Sequence, residues 1–212
     1  MPDTNIIPFG AAIAGDLLSA LSLPGGNTLA AVAAGFLAKK RREAAEILIA
    51  EIASGRHGPV NFEDHDIEPL IDMILRFSKA VAEGAARENL VLLAQIIAGL
   101  KKNRAFDPDR FRRWCKVLEH LSRDELLVIG FAYRAERELA GRTDAIDAFG
   151  PLLREMLSSA GYGEGEIEAL LTAVGSSGLL SSASAYGGLA YQPTPWLSEL
   201  GMLADVEAHT RK

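Results

Sequence analysis

Residues 178–200 read GLLSSASAYGGLAYQPTPWLSEL, the stretch in which the character of this largely helical sequence changes to that of short strands. Leu179 to Ser182 and Leu189 to Gln192 are short candidate strands on either side of Ala183 to Gly188. Thr194 with Pro195 then opens a last short helix, since proline is tolerated in a first turn. One β-hairpin is all the sheet this sequence leads us to expect.

Upstream, apolar residues recur at three- and four-residue steps, the period of a helix buried along one side. Glu164 to Val174 and Asp144 to Ser158 follow that pattern, and Ser122 with Glu125 predicts a capping box for a helix holding Leu126, Leu127, Ile129, Phe131 and Tyr133. Asp107 and Pro108 open a helix through Phe111, Trp114, Val117 and Leu118 that ends near His120. Asp66 is read as the cap of a helix carrying Ile67, Leu70, Ile74, Phe77 and Val81 and loosening at Gly84. Beyond it, Glu88 to Leu100 places Leu90, Leu93, Ile96, Ile97 and Leu100 on one stripe. Asn27 is read as the N-cap of a long helix to about Ala53, and Arg56 to His65, with Gly58, Pro59 and Asn61, as a loop. The expected fold is mainly α, a multi-helix bundle with one short C-terminal β-hairpin. The polar stretch Lys101 to Pro108 is the expected seam between an N-terminal region 1–104 and a C-terminal region 105–212.

Composition narrows the function classes. With 212 residues, 49% hydrophobic and 24% charged, the chain has the balance of a globular protein rather than a disordered one. Twenty-two Lys and Arg against 28 Asp and Glu give a net charge of −6, so no global positive field is present to hold a phosphate backbone. The single Cys115 excludes an intramolecular disulfide and a Cys-based zinc site, and fits a reducing compartment. Between Ile6 and Ala38 the only charge is Asp16, but Pro24, Gly25, Gly26 and Asn27 divide this run into pieces shorter than the ~20 apolar residues a spanning helix needs. No positive charge precedes it, unlike a secretory signal, so the expected location is cytoplasmic. Its many Ala and Gly residues favour close helix contacts, in a helical hairpin or between subunits. A membrane-surface role for residues 6–38 is the rival reading.

From Ser122 to Val206 the order is three helices, a Gly-Leu-Leu step at Gly178 to Leu180, a hairpin, and Tyr191-Gln192-Pro193-Thr194-Pro195 followed by Leu197 and Leu200. This order resembles the end of a winged-helix domain, in which the third helix runs into a wing and a Thr-Pro step starts a closing helix. The resemblance covers residues 122–206, and no family is recognised upstream. Members of that superfamily that read DNA present basic and amide side chains from the third helix. Here Gly163 to Gly178 holds Glu164, Glu166 and Glu168 with no Lys or Arg, and Ser181 to Gln192 carries no charge. Against six acidic residues after Gly163 stand only Arg211 and Lys212. The resemblance therefore implies a protein-binding or dimerising module, against the plainer reading of a helical cap whose hairpin merely covers the core.

Five features of the sequence bear on chemistry. Lys101, Lys102, Arg104, Arg110, Arg112, Arg113 and Lys116 form the densest basic region, in which Lys101, Lys102, Arg110, Arg113 and Lys116 are the candidate contact patch, against the plainer reading of a solvated helix side. Lys39, Lys40, Arg41 and Arg42 have Glu43 and Glu46 within ion-pairing reach. Glu63, Asp64, His65, Asp66 and Glu68, with His57 upstream, are the one cluster of candidate metal ligands, yet acidic residues in a first helical turn are stabilising without any metal. Cys115 lies inside a helix beside Trp114, the place of a small buried hydrophobe rather than a nucleophile. The glycine pairs Gly25-Gly26 and Gly187-Gly188 lack the further residues of a phosphate loop and read as turns. The expectation is a non-enzymatic protein without cofactor, metal or catalytic residues, working through a protein partner or self-association. Its rivals are a DNA-binding regulator, a peripheral membrane protein and, third, an enzyme whose site only tertiary folding assembles.

Overall fold

The computed structural model describes residues 28–185 and 188–210. The capping residue Asn27, the greater part of the apolar 6–38 segment, both glycines of the Gly25-Gly26 pair and the basic pair Arg211 and Lys212 lie outside the described residues. Within them the chain is mainly α, with eight α-helices and one antiparallel hairpin. In order these are α1 (Thr28–Ser54), a 3₁₀ turn (Asp64–Asp66), α2 (Ile67–Ala82), α3 (Arg87–Lys102), α4 (Pro108–Leu118), α5 (Arg123–Glu138), α6 (Ala145–Ser159), α7 (Glu164–Ser176), β1 (Leu180–Ala185), β2 (Gly188–Pro193), α8 (Pro195–Leu203) and a closing 3₁₀ turn (Val206–Thr210). None of the described helices is long and apolar enough to cross a membrane.

Two compact units divide the chain between His120 and Leu121. In the first, α1, α2 and α4 all pack on α3. Every residue from Leu92 to Leu100 is consequently buried, so the single apolar stripe read from the sequence was too narrow. Leu, Ile and Ala fill most of these positions, and each large aliphatic side chain removed from water contributes roughly 1.5–3 kcal/mol. The two polar residues buried on α3 are used. Asn89 Nδ2 donates to the Leu118 carbonyl at 2.6 Å, satisfying the last turn of α4, and Gln95 Nε2 donates to Glu51 Oε1 on α1 at 3.3 Å. The polar stretch 101–108 falls inside this unit because α4 turns back onto α2 and α3 through the fully buried Phe111, Trp114 and Leu118. Asp107 caps α4 as its sequence indicates, its Oδ1 accepting from the Asp109 N–H at 2.9 Å with Pro108 in the first turn.

The second unit is built around α5, against which α6, α7, α8, β2 and the closing 3₁₀ turn pack. The capping box is present: Ser122 Oγ accepts from the Glu125 N–H at 3.2 Å, and Glu125 Oε2 accepts from the Ser122 N–H at 2.7 Å. The hairpin register runs from Leu180 opposite Pro193 through Ser182 opposite Tyr191 to Ala185 opposite Gly188, so both strands extend further toward the turn than the sequence indicates. The base of the hairpin is tied by Thr194, whose N–H donates to the Leu179 carbonyl at 3.1 Å and whose hydroxyl donates to the Gly178 carbonyl at 2.7 Å. The final turn is held on α5 by Arg134, which donates to Thr210 Oγ1, and by Arg137, whose Nη1 lies 2.6 Å from Glu207 Oε1.

Candidate functional site

Three places bring polar or reactive side chains together. The first is the start of α2. Asp66 occupies the N-cap position of α2 but makes no side-chain capping bond to it. Its carboxylate instead accepts from the Glu63 N–H at 2.7 Å, closing the preceding 3₁₀ turn, and from Lys101 Nζ at 2.5 Å. The turn takes over the capping role because a buried carboxylate needs a cationic partner more than an exposed helix start needs a cap. Asp66 is 3% exposed. Burial opposes its charge, but the ammonium of Lys101, the Glu63 N–H and the nearby His65 hold its carboxyl below the ordinary range. His65 itself is exposed, 3.5 Å from Glu63 Oε2 and 3.6 Å from Asp66 Oδ1. Among the described residues no three His, Cys, Asp or Glu side chains are placed to hold a metal ion. Of the acidic cluster, Asp66 ties the start of α2 to Lys101 at the end of α3, a structural lock.

The basic region is divided by that lock. Lys101 points inward to Asp66, while Lys102 on α3 and Arg110 and Lys116 on α4 are exposed. Arg112 pairs with Asp109 at 2.9 Å, and Arg113 is half-buried with its guanidinium 4.9 Å from the centre of the Trp114 ring. Arg113 thereby extends the Trp114 packing as a cation over an aromatic face. Cys115, beside it, is buried, and its thiol is pushed up to about 12 by desolvation and the charge of Glu119. At neutral pH it carries no thiolate for nucleophilic attack. The Nε of Arg76 on α2 and Nε1 of Trp114 are buried with no hydrogen-bond acceptor among the described residues.

The third place is the outer side of α7. Its exposed positions are Glu164, Gly165, Glu166, Ala169, Thr172 and Ser176, with no Lys, Arg, Asn or Gln among them. Arg154 from α6 meets Glu164 at 2.7 Å and Glu168 at 2.5 Å. Glu168 also accepts from the Tyr191 hydroxyl at 3.0 Å, which ties α7 to β2. Its carboxyl is held below the ordinary range, first by Arg154 and also by the Tyr191 hydrogen bond. Glu166 Oε2 accepts from the Gly163 N–H at 2.9 Å at the helix start. Sequence reading located the three carboxylates but missed Arg154, which lies ten residues upstream of Glu164 and meets it only through the packing of α6 on α7.

Compared with protein-family models, curated proteins and solved structures, the chain matches none.

Proposed function

We propose that this protein acts without catalysis, in the cytoplasm, through protein contacts and self-association, and that residues 121–210 form a winged-helix-like unit that binds protein rather than DNA. The order α5, α6, α7, hairpin, α8 agrees with the resemblance: α7 stands in the place of the third helix, β1 and β2 in that of the wing, and Thr194-Pro195 opens the closing helix. The observation that carries the reading is the outer side of α7, where carboxylates and small side chains stand in the positions from which a DNA reader would present cations. The Arg154 guanidinium, which reaches this helix, is already engaged by Glu164 and Glu168. Each phosphate contact adds to a steep salt dependence, and a surface without available cations makes none.

The test is a selection from genomic DNA fragments at about 0.15 M salt, near which exposed charges are screened beyond roughly 8 Å. We expect no sequence to be enriched. Weak, sequence-independent binding at low salt through Lys102, Arg110 and Lys116 agrees with the reading. Enrichment of one sequence, lost on substitutions between Gly163 and Gln192, overturns it in favour of a regulator.

A further inference from the structure

The side of α1 turned away from its own unit has the pattern of an antiparallel self-pairing helix. Ala44, Ile47 and Leu48 are buried on the side that packs toward α3 and α2. On the other side Gly35, Lys39, Arg42, Glu46, Ile49 and Ala53 are all exposed. Their spacing alternates four and three residues, so they form one continuous stripe of charged and small residues, roughly 28 Å long at 1.5 Å per residue. One large apolar side chain of this stripe stands in water, Ile49 at 42% exposure. Among the described residues, and apart from α1's own backbone, no atom lies within 4 Å of where a Cβ on Gly35 would sit.

The charges say what covers it. Lys39, Lys40, Arg41 and Arg42 are followed by Glu43, Glu46 and Glu51, so α1 is basic up to Arg42 and acidic from Glu43 onward. A second α1 running in the opposite direction about a two-fold axis sets Gly35 against Ala53, Lys39 against Ile49 and Arg42 against Glu46, each pair occurring twice. In this register opposite charges meet at the centre, small residues let the helices close at the ends, and the Lys39 stem covers Ile49 while its ammonium stays in water. A parallel pairing would set Arg42 against Arg42 and Glu46 against Glu46, which like-charge repulsion disfavours. Within one chain Lys39 pairs with Glu43 only at 4.0 Å, and Lys40 stands 5.4 Å from the centre of the Phe36 ring. Neither contact occupies Arg42 or Glu46.

We infer that the exposed stripe Gly35–Lys39–Arg42–Glu46–Ile49–Ala53 of α1 is an interface for a second copy of this chain, joined antiparallel by reciprocal Arg42–Glu46 pairs. The inference rests on the self-association proposed above and gives it a surface. The area is small and the charges exposed, so the dimer should be weak and weaken further with salt.

The test is sedimentation of the full chain over a range of concentrations, with R42E, E46R and the double variant R42E/E46R. Either single reversal sets like charges at the centre and should weaken dimerisation roughly tenfold or more, and the double reversal should restore it. Each variant's unfolding midpoint is taken at a concentration where the protein is monomeric, so that a loss of folding is not mistaken for a loss of dimer. Cross-linking fixes the direction: oxidising a mixture of K39C and I49C chains should give predominantly the mixed dimer. A wild-type chain that stays monomeric removes self-association altogether. A dimer whose strength all three charge variants leave unchanged keeps self-association but overturns α1 as its surface, leaving residues 6–27 or another partner as the occupant. Predominant I49C–I49C cross-links overturn the antiparallel arrangement.

Discussion

Gly201 stands where α8 meets α5, and a Cβ at this position would lie inside the Tyr133 ring. The half-buried Tyr133 ring would have to swing aside or α8 would have to shift on α5. Gly201→Ala should therefore destabilise by about 1–3 kcal/mol, the usual cost of overpacking, read as a lower denaturant midpoint at unchanged slope. Gly165 on α7 is the control: it is exposed, nothing stands within 4 Å of its missing Cβ, and Gly165→Ala should stabilise by about 0.5–1 kcal/mol through helix propensity alone. Equal effects at the two sites would show that α8 does not press on α5 as described. The two glycines look alike in sequence, each inside a helical run, and only the neighbouring helix separates them.

Among the elements, the hairpin depends most on a single backbone conformation. Gly178 ends the turn after α7 with φ 81°, a region in which other residues are strained, and a Cβ there would lie 3.2 Å from the Trp196 ring. Its carbonyl also accepts the Thr194 hydroxyl that ties the base of the hairpin. Gly178→Ala should cost about 1–2 kcal/mol and loosen β1 and β2 before the helices, seen as faster amide exchange at residues 180–185 with α5 still protected. Uniform loss of protection would mean that the hairpin and helices open together. The sequence identified Gly178 as the point where the helical pattern stops, and Thr194-Pro195 as a helix start. It could not show that the two positions bond to each other, since that follows from the antiparallel register.

Across the whole molecule, each unit contains one carboxylate held below its ordinary range by a cation from a neighbouring helix: Asp66 by Lys101 in the first, Glu168 by Arg154 in the second. A group whose folded pKa is depressed contributes stability above its unfolded value, ~4 for these carboxylates, and loses it as pH falls through the folded value. The two should differ in weight. The side chains of Lys101 and Asp66 are 18% and 4% exposed, so Lys101→Met takes the ammonium from a buried carboxylate and should cost about 3 kcal/mol at pH 7, the deficit shrinking below about pH 4. Arg154 and Glu168 are more open, and Arg154→Met should cost only about 0.5–1 kcal/mol. Trp114 lies in the first unit and Trp196 in the second, so urea unfolding of Trp196→Phe and Trp114→Phe backgrounds at pH 7 and pH 3 reports each unit by itself. A Lys101→Met deficit that persists undiminished at pH 3 would show that Asp66 is not the group involved.

What the sequence alone determined was local. Apolar residues at three- and four-residue steps, a Ser-x-x-Glu box, an Asp-Pro start and a charge-free stretch after Gly178 each specify an element through interactions among residues close in the chain, so the helices and the hairpin could be read directly. The acidity of α7 and the place of Cys115 inside a helix were legible for the same reason. What only the tertiary structure decided joins residues far apart. α3 is buried on every side because α1, α2 and α4 converge on it, Asp66 is matched with Lys101 thirty-five residues away, and Arg154 engages the carboxylates of α7. The division between units falls after α4 rather than at the polar stretch before it because Phe111, Trp114 and Leu118 bury that helix against α2 and α3. Periodicity tells a helix which side is apolar, but burial and charge pairing depend on which other surfaces arrive there, and that is set by packing in three dimensions.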